Sequence, residues 1–290
     1  MGMAEDGLVD LKAPLHTYWG DGTANPHRTT QPCAYDLMTH TSSLRNLEIT
    51  RGLSTLRGLL QSGENWRNVE PGNGEYWGYS NFGFCVLGTT LELSSGQLLD
   101  EYFQSRFLEP LGAQASLHAG RLEAEEVACL YNSGGEVQRS PEAQTNQRVP
   151  SEIGKGASYY PGGLTISAVD LAKLVAILAG DGTYEGVQYL TPETVVEMET
   201  PQFTVSPGDT SDFQQCLVLR RQENLLGQPV LLYHTGSSYG VYALASYNPE
   251  TGNGVVVLTV GARYNRNERG LYTLCADLSA DLYARMEGAI

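Results

Sequence analysis

The sequence predicts an α+β protein, and three observations carry that prediction. Between about residues 34 and 200, several separate stretches carry apolar residues at helical spacing. The composition then shifts to runs of Val, Leu, Tyr and Ala, as in "PVLLYHTG" and "YGVYALASYNPETGNGVVVLTVGAR", and a last helical pattern closes the chain. Helices first, then antiparallel strands, then a helix able to cover the sheet make an α+β arrangement. With 290 residues and 41% hydrophobic content, the chain can bury a full core. We expect a single domain over residues 1–290. In it, a helical lobe over about 30–200 packs with a sheet and closing helix over about 210–290.

The first segment ends in "YWGDGTANPHRTTQP", which has no sustained period and reads as an irregular loop. "AYDLMTHTSSL" and "LEITRGLSTLRGLLQ" are short amphipathic helix candidates. They are followed by a Gly-, Asn- and Pro-rich surface excursion, "SGENWRNVEPGNGEYW". Over residues 80–93, Phe84, Leu87 and Leu91 fall at helical spacing, and Gly83 and Gly88 sit where another backbone could approach closely. This predicts a buried helix with Tyr79, Ser80 and Asn81 at its N-terminal mouth. "GQLLDEYFQSRFLEPLG" reads as a further helix ended by Pro110 and Gly112, and residues 120–160 read as loop or lid.

In "PGGLTISAVDLAKLVAILAGDG", Ser167 with Asp170 forms an N-terminal capping box, and Leu171, Leu174 and Leu178 form one helix face. "LTPETVVEMETPQ" opens with Thr191 as cap and Pro192 at the first helical position. "NPETGNG" between two β-rich runs is a hairpin loop. The closing helix is expected over residues 267–286, with Leu271, Leu274, Leu278 and Leu282 recurring at threes and fours.

The formal charge of −15 argues against nucleic acid or an anionic membrane surface as a partner, because both attract basic patches. A small molecule is the expected ligand. Cys33, Cys85, Cys129, Cys216 and Cys275 are odd in number and mostly set in apolar surroundings, as reduced core thiols are. No CxxC pair occurs, and His16, His27, His40, His118 and His234 are scattered, so no metal and no cofactor is expected. The N-terminus lacks a basic region followed by an apolar one, and no stretch approaches the ~20 apolar residues of a membrane span. A cytoplasmic protein is the expectation.

Two stretches could carry chemistry. Tyr79-Ser80-Asn81 stands at a helix start, where the dipole and free amides favour negative charge and can help hold a phenol partly deprotonated. Taken alone, these three letters favour a plainer reading as packed aromatic, N-cap and turn former. The second stretch is "HTGSSYG", residues 234–240. His234 and Thr235 can bind a carboxylate or carbonyl, and a strand edge beside glycines can offer amides to an oxyanion, with Gly236, Ser237 and Ser238 along it. The same letters fit Gly-x-Ser-x-Gly at Gly236, Ser238 and Gly240. A nucleophile elbow needs a strand, a sharp turn and a helix, whereas Ser238 precedes another strand, so it reads as part of a β-turn.

Together the two stretches say more. Tyr-x-Asn followed much later by His-Thr-Gly resembles the second and third motifs of the serine β-lactamase and penicillin-binding-protein superfamily, in its class C β-lactamase, esterase and D-aminopeptidase-like branch. "GLVDLKAPLHTYW", "FLEPLGA", "PGGLTISAVDLAKL", "YLTPETVVEMETPQ" and "YHTGSSYGVYALASYNPETGNGVVVLT" match family segments in order. "AYDLMTHTSSL" resembles the family's Leu-Leu-Thr-His-Thr-Ser-Gly-Leu, with Ser43 in place of glycine. The resemblance implies a β-lactamase/transpeptidase-like fold, an antiparallel sheet flanked by helices plus an all-helical lobe.

It also implies a nucleophile, the serine of Ser-x-x-Lys, with the tyrosine of the second motif as general base and acid. Lysine occurs only at Lys12, Lys155 and Lys173, and three residues before them stand Val9, Glu152 and Asp170. No Ser-x-x-Lys is present. Ser42 with Arg45 and Ser54 with Arg57 have the spacing, but arginine stays protonated and cannot serve as a base. By the resemblance, the N-terminal strands and nucleophile helix are missing from these residues. The sheet edge and core face they would cover then call for a homo-oligomer contact, a complementing N-terminal chain or a rearranged N-terminus.

Three readings follow. In the first, an enzyme acts on a small acyl or carbonyl substrate with Tyr79 as general acid/base, helped by Asn81 and His234, and with Ser80, Thr235, Gly236, Ser237 and Ser238 binding substrate. Without a serine nucleophile, its chemistry would be a non-covalent isomerisation, cyclisation, elimination or hydrolysis. The second is a serine hydrolase or acyltransferase completed by a Ser-x-x-Lys segment from elsewhere. The third is a catalytically dead binding or assembly protein.

Overall fold

In a computed structural model, residues 1–288 are described. They form two compact units: Met1–Gly112 with Ser116–His118 and Arg148–Leu164, and Ala113–Ala115 with Ala119–Gln147 and Thr165–Ile290.

The first unit is built around one buried helix. Besides the four-residue helices Gly2–Glu5 and His16–Trp19, it holds α1 (Ala34–Met38), α2 (Leu53–Gln61), α3 (Asn81–Ser95) and α4 (Leu99–Phe103). Phe82, Cys85, Val86, Leu87, Thr89, Thr90 and Glu92 of α3 are all buried, so the helix is enclosed on several sides, as a helix apolar all round must be. Its neighbours include α1, the His16–Trp19 turn and the Ala157–Tyr159 turn. The indole of Trp19 donates to Thr90 Oγ1 at 2.9 Å. Gly88 makes room for the ring of Tyr160, whose Cδ2 would lie 1.9 Å from any Cβ placed there. The close approach expected at Gly88 is thus made by a side chain. The Tyr160 hydroxyl donates to Glu92, which also accepts from the amides of Gly154 (2.8 Å) and Leu99 (3.2 Å).

The second unit holds the sheet. Its strands are β1 (Phe203–Val205), β2 (Phe213–Gln215), β3 (Arg220–Leu225), β4 (Gln228–Ser238), β5 (Val241–Tyr247) and β6 (Gly254–Val260). They pair antiparallel in the order β6-β5-β4-β3-β2-β1, a meander in which each strand lies beside its neighbour in sequence. The β4–β5 turn is two residues long. Tyr239 and Gly240 have φ of 48° and 81°, the positive pair that such turns require. The "NPETGNG" loop closes β5 to β6 as expected, with Asn248 N donating to Asn253 O at 2.8 Å.

Side chains alternate across the sheet, and each face has a helix. Helix α5 (Ala168–Ala179) brings Val175 to a cluster with Cys216, Leu232 and Tyr247 on one face. On the other, α7 (Thr273–Gly288) packs Cys275, Ala276 and Tyr283 against Leu231, Tyr233, Leu244, Val255 and Val257. Both expected caps are present: Ser167 Oγ accepts from Asp170 N at 3.0 Å and donates to Asp170 Oδ2 at 3.0 Å. Thr191 Oγ1 accepts from Thr194 N at 3.2 Å at the start of α6 (Pro192–Glu199). Helices α5 and α6 belong to the unit that holds the sheet.

The leucine pattern of the closing helix needs correction. The helix begins at Thr273, because Asn267 ties the preceding residues into a turn by accepting from the amides of Arg269 (3.1 Å) and Leu271 (3.0 Å). Leu271 is buried, but Leu274, Leu278 and Leu282 are 47%, 44% and 40% exposed. The sheet-facing row is instead Cys275, Ala276, Ser279 and Tyr283, whose mostly small side chains let the helix axis lie close to the strands. Among the described residues, β6 has no strand on its second side.

Candidate active site

The mouth of α3 is assembled from a buried polar turn. Residues 39–44, "THTSSL", are all buried, and their backbone is anchored to Asp36 O, Gly72 N, Gly78 N and Arg67 N. His40 and Ser43 both adopt φ 60°, a left-handed conformation that costs non-glycine residues about 1–2 kcal/mol. That geometry accounts for the glycine of the related segment at the place of Ser43. The Ser43 hydroxyl is held there by Asn25 Nδ2, which donates to it at 2.8 Å.

His40 makes two hydrogen bonds to the chain on either side of Tyr79. Its carbonyl accepts from Gly78 N at 3.0 Å, and its ring Nδ1 accepts from Ser80 N at 3.2 Å. The imidazole also lies against the Tyr79 ring, with centroids 4.4 Å apart, and against Trp77 and Phe84 at 6.0 and 5.4 Å. His40 is 6% exposed and Ser80 4%, while Tyr79 between its pinned neighbours is 40% exposed. A partly exposed tyrosine flanked by buried, hydrogen-bonded backbone is the result.

Ser80 is the N-cap of α3. Its hydroxyl accepts from Gly83 N at 2.9 Å and donates to Asn46 Oδ1 at 3.3 Å, and Asn46 Oδ1 also accepts from Phe82 N at 3.3 Å. The helix amides expected to be free are therefore largely occupied, and the dipole is what remains to favour a phenolate. The Ser80 hydroxyl is spent on the cap, and Asn81 is the first helical residue, half-buried.

In the second unit, His234 to Ser238 form the last five residues of β4. Strand β3 pairs with β4 only as far as Tyr233 opposite Arg220, whereas β5 pairs along the motif from His234 opposite Ala245 to Ser238 opposite Val241. Among the described residues, 234–238 therefore run beyond β3 with no strand paired along that edge. Alternation separates the side chains. His234 shares a face with Leu232 and Ala245, on the α5 side, while Thr235 lies with Tyr233 and Leu244 on the α7 side. The two side chains therefore lie on opposite faces of the sheet.

Burial of its ring, and after that the Arg220 guanidinium, push the His234 imidazole down to about 4. It is a neutral hydrogen-bonding group at pH 7. Just past the motif, Arg139 donates to the Tyr239 hydroxyl at 2.7 Å with its guanidinium 4.1 Å from the ring centre. Gly240 admits the Tyr131 carbonyl, which would be 2.0 Å from a Cβ. The hairpin of Leu130–Tyr131 and Val137–Arg139 thus packs on the β4–β5 turn.

His40, Asn46 and Arg139 are missing from the sequence-level site. The only signal for His40 is its place in the "THTSSL" segment, and Asn46 and Arg139 give none. A concavity of about 920 Å³ in the first unit, lined among others by Leu53, Arg57, Gln97, Glu152 and Lys155, contains none of the predicted site residues.

An antiparallel sheet with a helix on each face, a buried helix carrying Tyr-x-Asn at its mouth and a His-Thr-Gly strand define the serine β-lactamase and penicillin-binding-protein-like class. The family model described as Beta-lactamase matches residues 1–279, and the chain belongs to that family. Protein Rv1367c of Mycobacterium tuberculosis is 25% identical over 233 residues, 70% of this chain and 56% of that protein. The octameric penicillin-binding protein homologue from Pyrococcus abyssi superposes with a TM-score of 0.72 at 23% identity, over 99% of this chain and 62% of that one. A β-lactamase/D-alanine carboxypeptidase from Pseudomonas syringae gives 0.68 at 17% identity, over 98% and 80%. The chain thus spans little more than half the length of its curated relative.

Proposed function

We propose that this chain is a β-lactamase-family enzyme acting on a small acyl or carbonyl substrate, with Tyr79 as general acid and base and no serine nucleophile among its own residues. The observation that carries the reading is Tyr79, a residue 40% exposed, between Gly78 and Ser80, which are both hydrogen-bonded to His40. A phenolate so held would take a proton from water or from an acidic carbon and return it to the leaving or rearranged atom. In hydrolysis the attacking oxygen would come from water. Within the second unit, residues 234–238 run past their β3 partner, and His234, neutral at pH 7, offers a hydrogen bond without a charge. Five cysteines without a disulfide fit a reducing, cytoplasmic setting.

The test is turnover of small esters, amides and β-lactams by the chain and by Tyr79→Phe. Loss of about 10²–10⁴-fold in kcat is expected. Turnover left intact in Tyr79→Phe removes the reading.

A second reading has a specific observation in its favour. The free side of β6 and the exposed row Leu274, Leu278 and Leu282 on α7, which packs against β6, are surfaces on which a further segment could seat. Such a segment, in a partner or elsewhere in a longer polypeptide, would bring Ser-x-x-Lys and make Tyr79 the helper of an acylated serine. A fluorophosphonate adduct on a serine of the full natural complex, with none on the isolated chain, is its expected signature. No adduct in either sample counts against it.

A further inference from the structure

We infer that His40 is the positioning residue of Tyr79, fixing through its ring nitrogen where the phenol points. The inference rests on the proposed role of Tyr79, but its geometry stands by itself. One residue bonds the chain on both sides of the tyrosine. The backbone arm runs from Gly78 N to His40 O at 3.0 Å, and the side-chain arm from Ser80 N to His40 Nδ1 at 3.2 Å. With the amides at 78 and 80 fixed, the torsions that aim the Tyr79 side chain lose most of their freedom. The imidazole face at 4.4 Å then restricts the ring.

The side-chain arm also sets the chemistry of His40. A nitrogen that accepts from an amide carries no proton, so the neutral imidazole holds its hydrogen on Nε2. The left-handed backbone at φ 60° is what turns both the carbonyl and the ring of one residue toward the same short stretch. Strain of this sort persists where surrounding structure over-determines it, and the buried 39–44 turn supplies that surrounding.

Only the side-chain arm depends on residue type, which makes the two arms separable. His40→Asn places an amide oxygen near the position of Nδ1 and keeps an acceptor, while His40→Phe keeps a ring and loses it. Amide hydrogen exchange of the uniformly labelled chain reads each arm directly. In His40→Phe, exchange at Ser80 should rise about tenfold while Gly78, bonded to the backbone carbonyl, stays protected, and His40→Asn should restore Ser80.

Equal Ser80 protection in wild type and His40→Phe overturns the inference. So does a failure of His40→Asn to restore Ser80. Loss of protection at Gly78 as well as Ser80 in His40→Phe would make the residue a support of the whole turn, which also overturns it. In the turnover assay, His40→Phe should lower kcat with KM unchanged, and His40→Asn should recover it. If Tyr79→Phe abolishes turnover but His40→Phe leaves it intact, positioning fails and the role of Tyr79 survives. If Tyr79→Phe has no effect, that role fails while the exchange result still stands.

Discussion

Ser43 holds a left-handed backbone, and its hydroxyl accepts the Asn25 amide. Alanine keeps the strain and leaves the Asn25 amide with only its longer bond to Arg67 O, at 3.3 Å, so Ser43→Ala should cost about 1–2 kcal/mol in denaturant unfolding. Glycine loses the same bond but relieves the strain, so Ser43→Gly should be about 1 kcal/mol milder.

His234 makes a prediction in pH. Its folded value of about 4 lies below the ordinary 6.5, so between those values the unfolded chain binds a proton that the folded chain refuses. Its contribution is present above pH 6.5, is lost as pH falls toward 4, and is flat below. Relative to His234→Gln, the wild type should lose at most about 3 kcal/mol across that window. A stability difference independent of pH contradicts this. Tyr79 and His234 could be named as candidates from the sequence because a motif carries them. His40 was not, since its bearing on Tyr79 arises from a fold-made contact across 40 positions.

At the scale of elements, α3 depends on a gap. Any Cβ at Gly88 meets the Tyr160 ring, and that ring is tethered through its hydroxyl to buried Glu92. Gly88→Ala should therefore destabilise by about 1–3 kcal/mol although alanine favours helix, and the loss should be smaller when Tyr160 is also shortened to Leu.

The helices with local signals, α3, α5 and α6, could be read from caps and period, because a cap and the turn it closes lie within four residues. The closing helix shows where this ends. Its helical period was legible, but which row meets the sheet depends on how closely the strands let the helix approach. The leucines lost that place to Cys275, Ala276, Ser279 and Tyr283. Likewise, the strand-edge reading of residues 234–238 comes from local glycines, whereas the point at which β3 stops pairing, Tyr233 opposite Arg220, depends on relative strand lengths that no local pattern displays.

For the molecule as a whole, ordered segment matches gave the fold class and family, and the family model over residues 1–279 agrees. Net charge of −15 is spread over a surface that still carries the row Leu274, Leu278 and Leu282. These side chains make little of the core, so Leu278→Gln should change unfolding free energy by no more than about 0.5 kcal/mol. If a partner segment seats there, the same change should weaken its binding, and calorimetry of the purified complex against the variant separates the two effects.

The central claim concerns Tyr79, and steady-state turnover by this chain before and after Tyr79→Phe tests it most directly. With small esters, amides and β-lactams as substrates, the account predicts measurable kcat/KM in the wild type, a fall of about 10²–10⁴-fold in the variant with folding unchanged, and no fluorophosphonate adduct on the chain. Turnover that survives Tyr79→Phe at the wild-type rate contradicts it.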